Sequence, residues 1–147
     1  MTLTGAAVLH NRDAAVLVAG KGGLLSASAL LVSDVAAEEH SQRFAIGVIA
    51  QEFGRLDLVD SLVRKIAGIG LFFADGTGRV VRSELDDNPV ALHTQGSSRI
   101  KLGEAPGIPQ QWEVLVDEET QLLRNGSRLG SGTLPLPTLH EVVKVHH

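Results

Sequence analysis

The sequence predicts an α+β fold: a β-rich single domain in which a mostly antiparallel sheet packs on one or two helices. The 147 residues are 44% hydrophobic and 20% charged, which is an ordinary composition for one globular domain over 1–147. Short aliphatic runs separated by Gly, Asn, Asp and Pro indicate many strands. Only one segment, 57–67, has a complete helical pattern, so the predicted helical layer is thin.

The predicted helix over 57–67 has a start, an apolar face and an end. Asp57 is suited to the N-cap, and Leu58, Leu62 and Ile66 recur at four-residue spacing. Gly68 then ends the helix. This pattern predicts a helix that packs on the sheet.

Three hairpins are predicted from their turn residues. Asp75-Gly76-Thr77-Gly78 supplies a tight turn between strand 69–73 and a returning strand with Val80 and Val81. Asn125-Gly126 is a strong hairpin signal between 122–124 and 127–129. The polar turn 11–13 joins strands 3–9 and 14–19.

The other predicted strands are 24–32, 90–93, 99–102, 112–116 and 141–145, with a surface loop at 103–110.

The segment 34–53 allows two interpretations. Ser33 or Asp34 could cap a short helix to 43, followed by a strand over 44–53, which Gly47 and the β-branched residues favour. Alternatively, 34–53 is one long helix. No internal repeat is evident anywhere in the chain.

Composition excludes several classes of function. The chain contains no cysteine, so disulfides, thiolate metal sites and thiol nucleophiles are absent. A net charge of −4 with scattered basic residues argues against a nucleic acid duplex as a partner. With neither a signal peptide nor an 18-residue apolar run, a cytoplasmic protein without a membrane partner is expected. The terminal pair His146-His147 is consistent with a tag remnant and is left out of the functional argument.

One segment resembles a phosphate-binding loop. Residues 16–23, ending in Lys21-Gly22-Gly23, resemble the opening of the variant phosphate loop in the ParA and MinD family of ATPases. That loop continues with Gly-Lys-Thr, where this chain has Leu25, Ser26 and Ala27. Without the lysine and the hydroxyl, the segment is predicted to be a glycine turn between strands.

A second segment resembles part of the D-aminoacyl-tRNA deacylases. Residues 62–85, including Phe72 and Asp75-Gly76, resemble the helix and hairpin that precede the active-site strand of that family. The resemblance implies a β-rich homodimer that hydrolyses a mischarged aminoacyl ester. The family's Ser-Gln-x-Thr motif is replaced here by the stretch 93–98, and its Gly-Pro-Val-Thr motif has no counterpart.

No metal or cofactor site is predicted. The histidines His10, His40, His93 and His140 are far apart and lack ligand spacing. The acidic runs 86–87 and 117–119 lie beside breakers, where solvated loop charge is expected.

The best candidate site is a polar stretch at the end of the strand over 90–93. An imidazole, an amide and three hydroxyls come together in His93, Thr94, Gln95, Ser97 and Ser98. In an extended chain, His93 and Gln95 share one face and Thr94 lies on the other. A small polar ligand is predicted to bind there. No catalytic residue is assigned, although Asp86 or Asp87 is the nearest carboxylate in sequence that could orient the imidazole.

The chain is therefore predicted to be a homo-oligomeric binding, sensing or assembly module without a complete catalytic motif. Its aliphatic strands exceed what one helix and one sheet face can cover, so a second copy, most commonly forming a dimer, is the expected partner. Signalling and particle assembly are not separated by the sequence. The alternative is a small hydrolase of an ester-like bond, which follows from the deacylase resemblance, so the sequence leaves open whether the protein is an enzyme.

Overall fold

The chain folds entirely into strands over the residues that the structure, a computed structural model, describes: 1–37, 45–103 and 107–136. Within these ranges there are sixteen strands and no helix, and every strand pair is parallel. The predicted α+β fold with a mostly antiparallel sheet is therefore wrong.

The strands follow one another in sets of three, and each set makes one coil of a spiral. Coil 1 contains β1 (Thr2–Thr4), β2 (Ala7–Leu9) and β3 (Ala14–Ala19). Coil 2 contains β4 (Leu24–Ser28), β5 (Leu31–Val35) and β6 (Ile46–Gln51). Coil 3 contains β7 (Arg55–Val59), β8 (Leu62–Ile66) and β9 (Ile69–Ala74). Coil 4 contains β10 (Thr77–Val81), β11 (Glu84–Asp86) and β12 (Val90–Gln95). After β13 (Arg99–Leu102), coil 5 contains β14 (Glu113–Val116), β15 (Gln121–Leu123) and β16 (Ser127–Ser131).

Successive coils stack into three parallel sheets, which is the arrangement of a parallel β-helix. Sheet 1 has the order β1-β4-β7-β10-β14-β13, sheet 2 the order β2-β5-β8-β11-β15, and sheet 3 the order β3-β6-β9-β12-β16. Hydrogen bonds between coils 3 and 4 join residues 22 positions apart. The chain therefore has an internal repeat, which the sequence hides because extra residues separate β5 from β6 and β13 from β14.

The corners of the coils are formed largely by left-handed residues other than glycine. At the corner after sheet 2, the register stacks five such residues in one column, with φ between 52° and 60°. They are His10, Asp34, Lys65, Asp87 and Arg124. Sequence patterns locate turns mainly from Gly, Pro, Asn and Asp, so the corner at Lys65 gave no turn signal. The charged members of the column alternate in sign from Asp34 to Arg124, which suits stacked neighbours.

The predicted helix over 57–67 is wrong, because these residues belong to β7 and β8. Leu56 and Leu58 alternate into the interior in β7, and Val63 does so in β8. Between the two strands Asp60 adopts a φ of 50°. This corner shifts the phase of the alternation, so two short strands imitate the four-residue spacing of a helix.

The segment 34–53 is also not helical where it is described. Asp34 lies inside β5, so a helix does not begin at Ser33 or Asp34, and the single helix over 34–53 is wrong. The strand interpretation of 44–53 is confirmed by β6. The remainder of the short predicted helix at 38–43 and the predicted strand at 141–145 lie outside the described residues.

The predicted hairpins are wrong as pairings, although their turns are placed correctly. β9 and β10 are separated by a bend at Asp75, but β10 pairs with β7 and β14 rather than with β9. In the same way β15 belongs to sheet 2 and β16 to sheet 3, and β1, β2 and β3 lie in three different sheets. Each turn sends the chain on to the next sheet instead of back along the same one.

The core fills the space between the three sheets with fully buried aliphatic side chains and Phe73. Hydroxyl groups complete the corner between sheets 1 and 2. The backbone amide of Leu30 donates to Ser61 Oγ (3.0 Å), that of Ser61 donates to Ser83 Oγ (3.1 Å), and that of Ser83 donates to Thr120 Oγ1 (3.3 Å). The hydroxyls thus satisfy amides that have no strand partner at the corner.

Candidate functional site

The structure divides the predicted polar site between a sheet face and a corner. His93, Thr94 and Gln95 are the last three residues of β12 in sheet 3, and Ser97 and Ser98 follow at the next corner. His93 and Gln95 both reach the segment 132–134, whose chain lies against the outer face of sheet 3. These two residues form one group and the serines form another.

His93 and Gln95 bind the backbone of that segment. The His93 side chain is only 3% exposed, and its Nε2 lies 3.0 Å from the carbonyl oxygen of Gly132. Because a carbonyl oxygen only accepts, Nε2 carries the proton. The Gln95 side chain makes two hydrogen bonds to the backbone of Leu134. Gln95 Nε2 donates to the Leu134 carbonyl oxygen (3.1 Å), and the Leu134 backbone amide donates to Gln95 Oε1 (2.8 Å). The Nε2 atom of His93 and the side-chain amide of Gln95, both predicted to meet a ligand, are therefore bonded to the chain itself.

A second apolar cluster lies beneath this segment on the outer face of sheet 3. It contains the buried residues Ile46, Ile49, Ile69, Phe72 and Ala74, and Leu134 and Leu136 pack against it. The Phe72 ring also contacts the His93 ring, with 4.7 Å between centroids. Polar bonds and apolar contacts thus fix the same stretch, 132–136, to the sheet.

Ser97 and Ser98 stabilise the corner between sheets 3 and 1. Ser98 Oγ donates to the Gly76 carbonyl (2.8 Å) and accepts from the Gly76 amide (2.9 Å). The Ser97 amide donates to Asp75 Oδ1 (2.8 Å). Both residues therefore join equivalent corners of coils 3 and 4.

No carboxylate in the described residues orients His93 in the way the sequence suggested for Asp86 or Asp87. Asp86 lies in sheet 2, where Arg124 binds both of its carboxylate oxygens. The hydrogen bond from Arg124 lowers the pKa of Asp86 from its ordinary value. Asp86 is therefore an ionised structural partner of Arg124. It is also buried, in contrast to the solvated loop charge expected for 86–87.

Two shallow clefts lie at the corners next to sheet 2. The first, of about 540 Å³, contains an ion pair in which Arg82 Nε donates to Asp60 Oδ1 (2.8 Å), and this bond lowers the pKa of Asp60. The second, of about 400 Å³, contains the Asp86–Arg124 pair. Asp60 and Asp86 are thus both ionised and already bonded, so neither carboxylate is well suited to general acid or base catalysis.

Among the residues that the structure describes, no three His, Asp or Glu side chains come together as a metal site would require. The same part of the chain contains no helix long and apolar enough to cross a membrane.

The ends of the coil stack expose strand edges that sequence reasoning did not identify. β1, β2 and β3, together called the N-end, each pair on one side only within the described residues. Their sequences, Thr-Leu-Thr, Ala-Val-Leu and Ala-Ala-Val-Leu-Val-Ala, contain no charge, proline or glycine. Natural edge strands are usually protected by such residues. The uncharged strand sequences were visible beforehand, but their common position at one end was not.

The interior of the β-helix is also incompletely covered at the N-end. Leu3, Val8 and Val16 are half-buried. Their register neighbours in coil 2 are Ala27, Val32 and Val48, which are 2%, 0% and 0% exposed. Within the described ranges, the first coil thus combines unpaired strand edges with half-exposed apolar side chains.

Comparison with family models, with curated proteins and with solved structures found no match to this chain.

The contacts of Gln95 lead to a first prediction. In Gln95→Ala, the Leu134 amide loses its acceptor, and we expect its hydrogen exchange to accelerate roughly tenfold, equivalent to about 1.4 kcal/mol. Residue-resolved exchange by NMR measures this directly. Ser97→Ala is the matched control, because the hydrogen bond of Ser97 to Asp75 is made by its backbone amide, which alanine retains. Unchanged exchange of Leu134 in Gln95→Ala would show that Gln95 does not hold the segment.

Proposed function

We propose that this protein is a structural assembly module that binds copies of itself through the strand edges at the end of its coil stack. The observation that carries the proposal is the N-end, where three edge strands without charge or proline surround a half-exposed apolar interior. A second copy could supply both the missing hydrogen-bond partners and the missing apolar contacts.

Two physical terms support association at this end. Unpaired strand edges present backbone donors and acceptors in a row, which is a template for another strand. Burial of Leu3, Val8 and Val16 would remove further apolar surface from water, at roughly 25 cal/mol per Å². The two terms act together because the same coil presents both.

The other functions considered from the sequence gain no comparable support. Residues 62–85, which carry the deacylase resemblance, form β8, β9, β10 and the start of β11 rather than a helix and a hairpin. His93 and Gln95, the centre of the predicted ligand site, are bonded to segment 132–134. We therefore do not extend the proposal to hydrolysis or to a small polar ligand.

The proposal predicts a charge-sensitive oligomer. Sedimentation equilibrium of the unmodified chain should give a mass above 15.5 kDa at micromolar concentration. Ala7→Lys places a charge on the exposed face of edge strand β2 and should shift the mass to that of the monomer, because edge lysines oppose strand addition.

Leu62→Lys is the matched control. It adds the same charge to the half-buried face of β8, the central strand of sheet 2, whose edges are both paired. Its mass should equal that of the unmodified chain. An unmodified chain that is monomeric at high micromolar concentration would overturn the proposed function.

A further inference from the structure

We infer that two copies join N-end to N-end across a twofold axis, forming a closed dimer rather than a growing fibre. The inference rests on the proposed function and adds the geometry of the contact. It follows from the difference between the two ends of the coil stack, from the symmetry of a strand edge, and from the apolar interior at the N-end.

Two of the three edge strands at the opposite end of the stack carry charged side chains, whereas none does at the N-end. These edge strands are β13, β15 and β16, together called the C-end: β13 carries exposed Arg99 and Lys101, β16 carries exposed Arg128, and β15 is uncharged. Lys101 Nζ also pairs with Glu113 on the neighbouring strand at 2.6 Å. Charged edge strands resist the addition of another strand, because pairing would remove their side chains from water.

The charges of coil 1 lie outside its strands. Arg12 and Asp13 both fall between β2 and β3, so the side chains of the edge strands themselves are uncharged. When an N-end meets a C-end, it brings no carboxylate in its strands to receive Arg99 or Arg128. When two N-ends meet, no edge-strand charge has to be desolvated on either side.

Twofold symmetry also suits the strands. An axis perpendicular to the coil axis reverses the direction of the partner's coil, so strands across the contact run antiparallel. Antiparallel pairing is slightly more stable per residue than the parallel pairing within the stack. The contact uses the same patch on both copies, so it closes at two subunits, whereas a head-to-tail contact would repeat.

The half-exposed interior completes the fit. Leu3, Val8 and Val16 of each copy would face the equivalent apolar ring of the other. Because the facing side chains are aliphatic and uncharged on both copies, they can pack against each other without burying a charge. The contact thus extends the core through both molecules.

Cysteine cross-linking tests this geometry, because the chain has no cysteine of its own. Single variants Thr4→Cys, Ala7→Cys and Ala19→Cys sample one position on each edge strand of the N-end, and Gln121→Cys samples the C-end. The five coils are separated by four spacings of about 4.8 Å, so the two ends of one molecule lie roughly 20 Å apart. A bis-maleimide much shorter than this can therefore report only on ends that meet.

The expected result is a cross-linked dimer from at least one N-end variant alone. Gln121→Cys alone should give none, and a mixture of an N-end variant with Gln121→Cys should give no mixed product. Sedimentation should also reach a plateau at twice 15.5 kDa. Cross-links formed only in the mixture, with a mass that grows with concentration, would overturn the twofold contact and leave self-assembly intact. A monomeric unmodified chain would overturn both.

Discussion

Replacing Phe73 with alanine is expected to destabilise the fold by about 3–5 kcal/mol, because the change leaves a large cavity in the interior of the β-helix. Phe73 is 0% exposed and is among the largest fully buried side chains. Its ring packs against Gly78, where a Cβ would meet the ring and would also lie 2.8 Å from the Leu56 carbonyl oxygen. The ring thus occupies space that the missing side chain of Gly78 provides, and no neighbour can easily fill it.

Urea unfolding followed by circular dichroism measures this effect, and Phe53→Ala is its control. Phe53 is 46% exposed at a corner, where it contacts Trp112, so its replacement should cost less than about 1 kcal/mol. Equal unfolding midpoints for the two variants would show that the interior is not packed around Phe73.

The sequence predicted some individual strands correctly but not their pairing, and the predicted single strands 3–9 and 24–32 are each two strands in different sheets. The predicted strands 14–19 and 99–102 coincide with β3 and β13, and the bend near Asp75 was also anticipated. Local patterns contain this information, since alternation and turn residues act over a few positions. A parallel partner lies a whole coil away, and a two-residue turn says nothing about whether the chain returns or moves on to another sheet.

The corners explain most of the remaining error. Asp60 and Lys65 adopt left-handed conformations that stacked neighbours stabilise, and neither residue type signals this as glycine would. Without those corners, residues 57–67 are as consistent with a helix as with two strands. Only the register with the adjacent coils decides between them.

At the candidate site, too, the sequence predicted what depends on neighbouring residues but not what depends on residues far along the chain. Alternation predicted that His93 and Gln95 share a face, and both do contact segment 132–134. The sequence could not indicate that this segment returns across sheet 3 and occupies their polar groups. Nor could it show that β1, β2 and β3 lie at one end of a stack, because that position depends on the whole coil order.

Replacing Asn88 with alanine is expected to cost about 2–4 kcal/mol, because it leaves buried backbone groups without partners. Asn88 is 2% exposed; its Oδ1 accepts from the Ile66 amide (3.1 Å) and its Nδ2 donates to Asn125 Oδ1 (3.2 Å). Asn125 Nδ2 in turn donates to the Leu85 carbonyl (2.9 Å). The two asparagines therefore link three consecutive coils. The sequence had suggested only a hairpin turn at Asn125.

A double-mutant cycle with Asn125→Ala tests whether the two side chains act as a unit. The two side chains share a hydrogen bond, so the loss of stability in the double variant should be smaller than the summed losses of the two single variants. The expected difference is about 0.5–3 kcal/mol, which is typical of residues in contact. Asn11→Ala is the control, since its side chain makes a long, exposed bond to the Leu9 carbonyl (3.3 Å) and its replacement should change stability by less than about 0.5 kcal/mol. If Asn88→Ala were as mild as Asn11→Ala, or if the two replacements were additive, the asparagine pair would not be what holds this corner together.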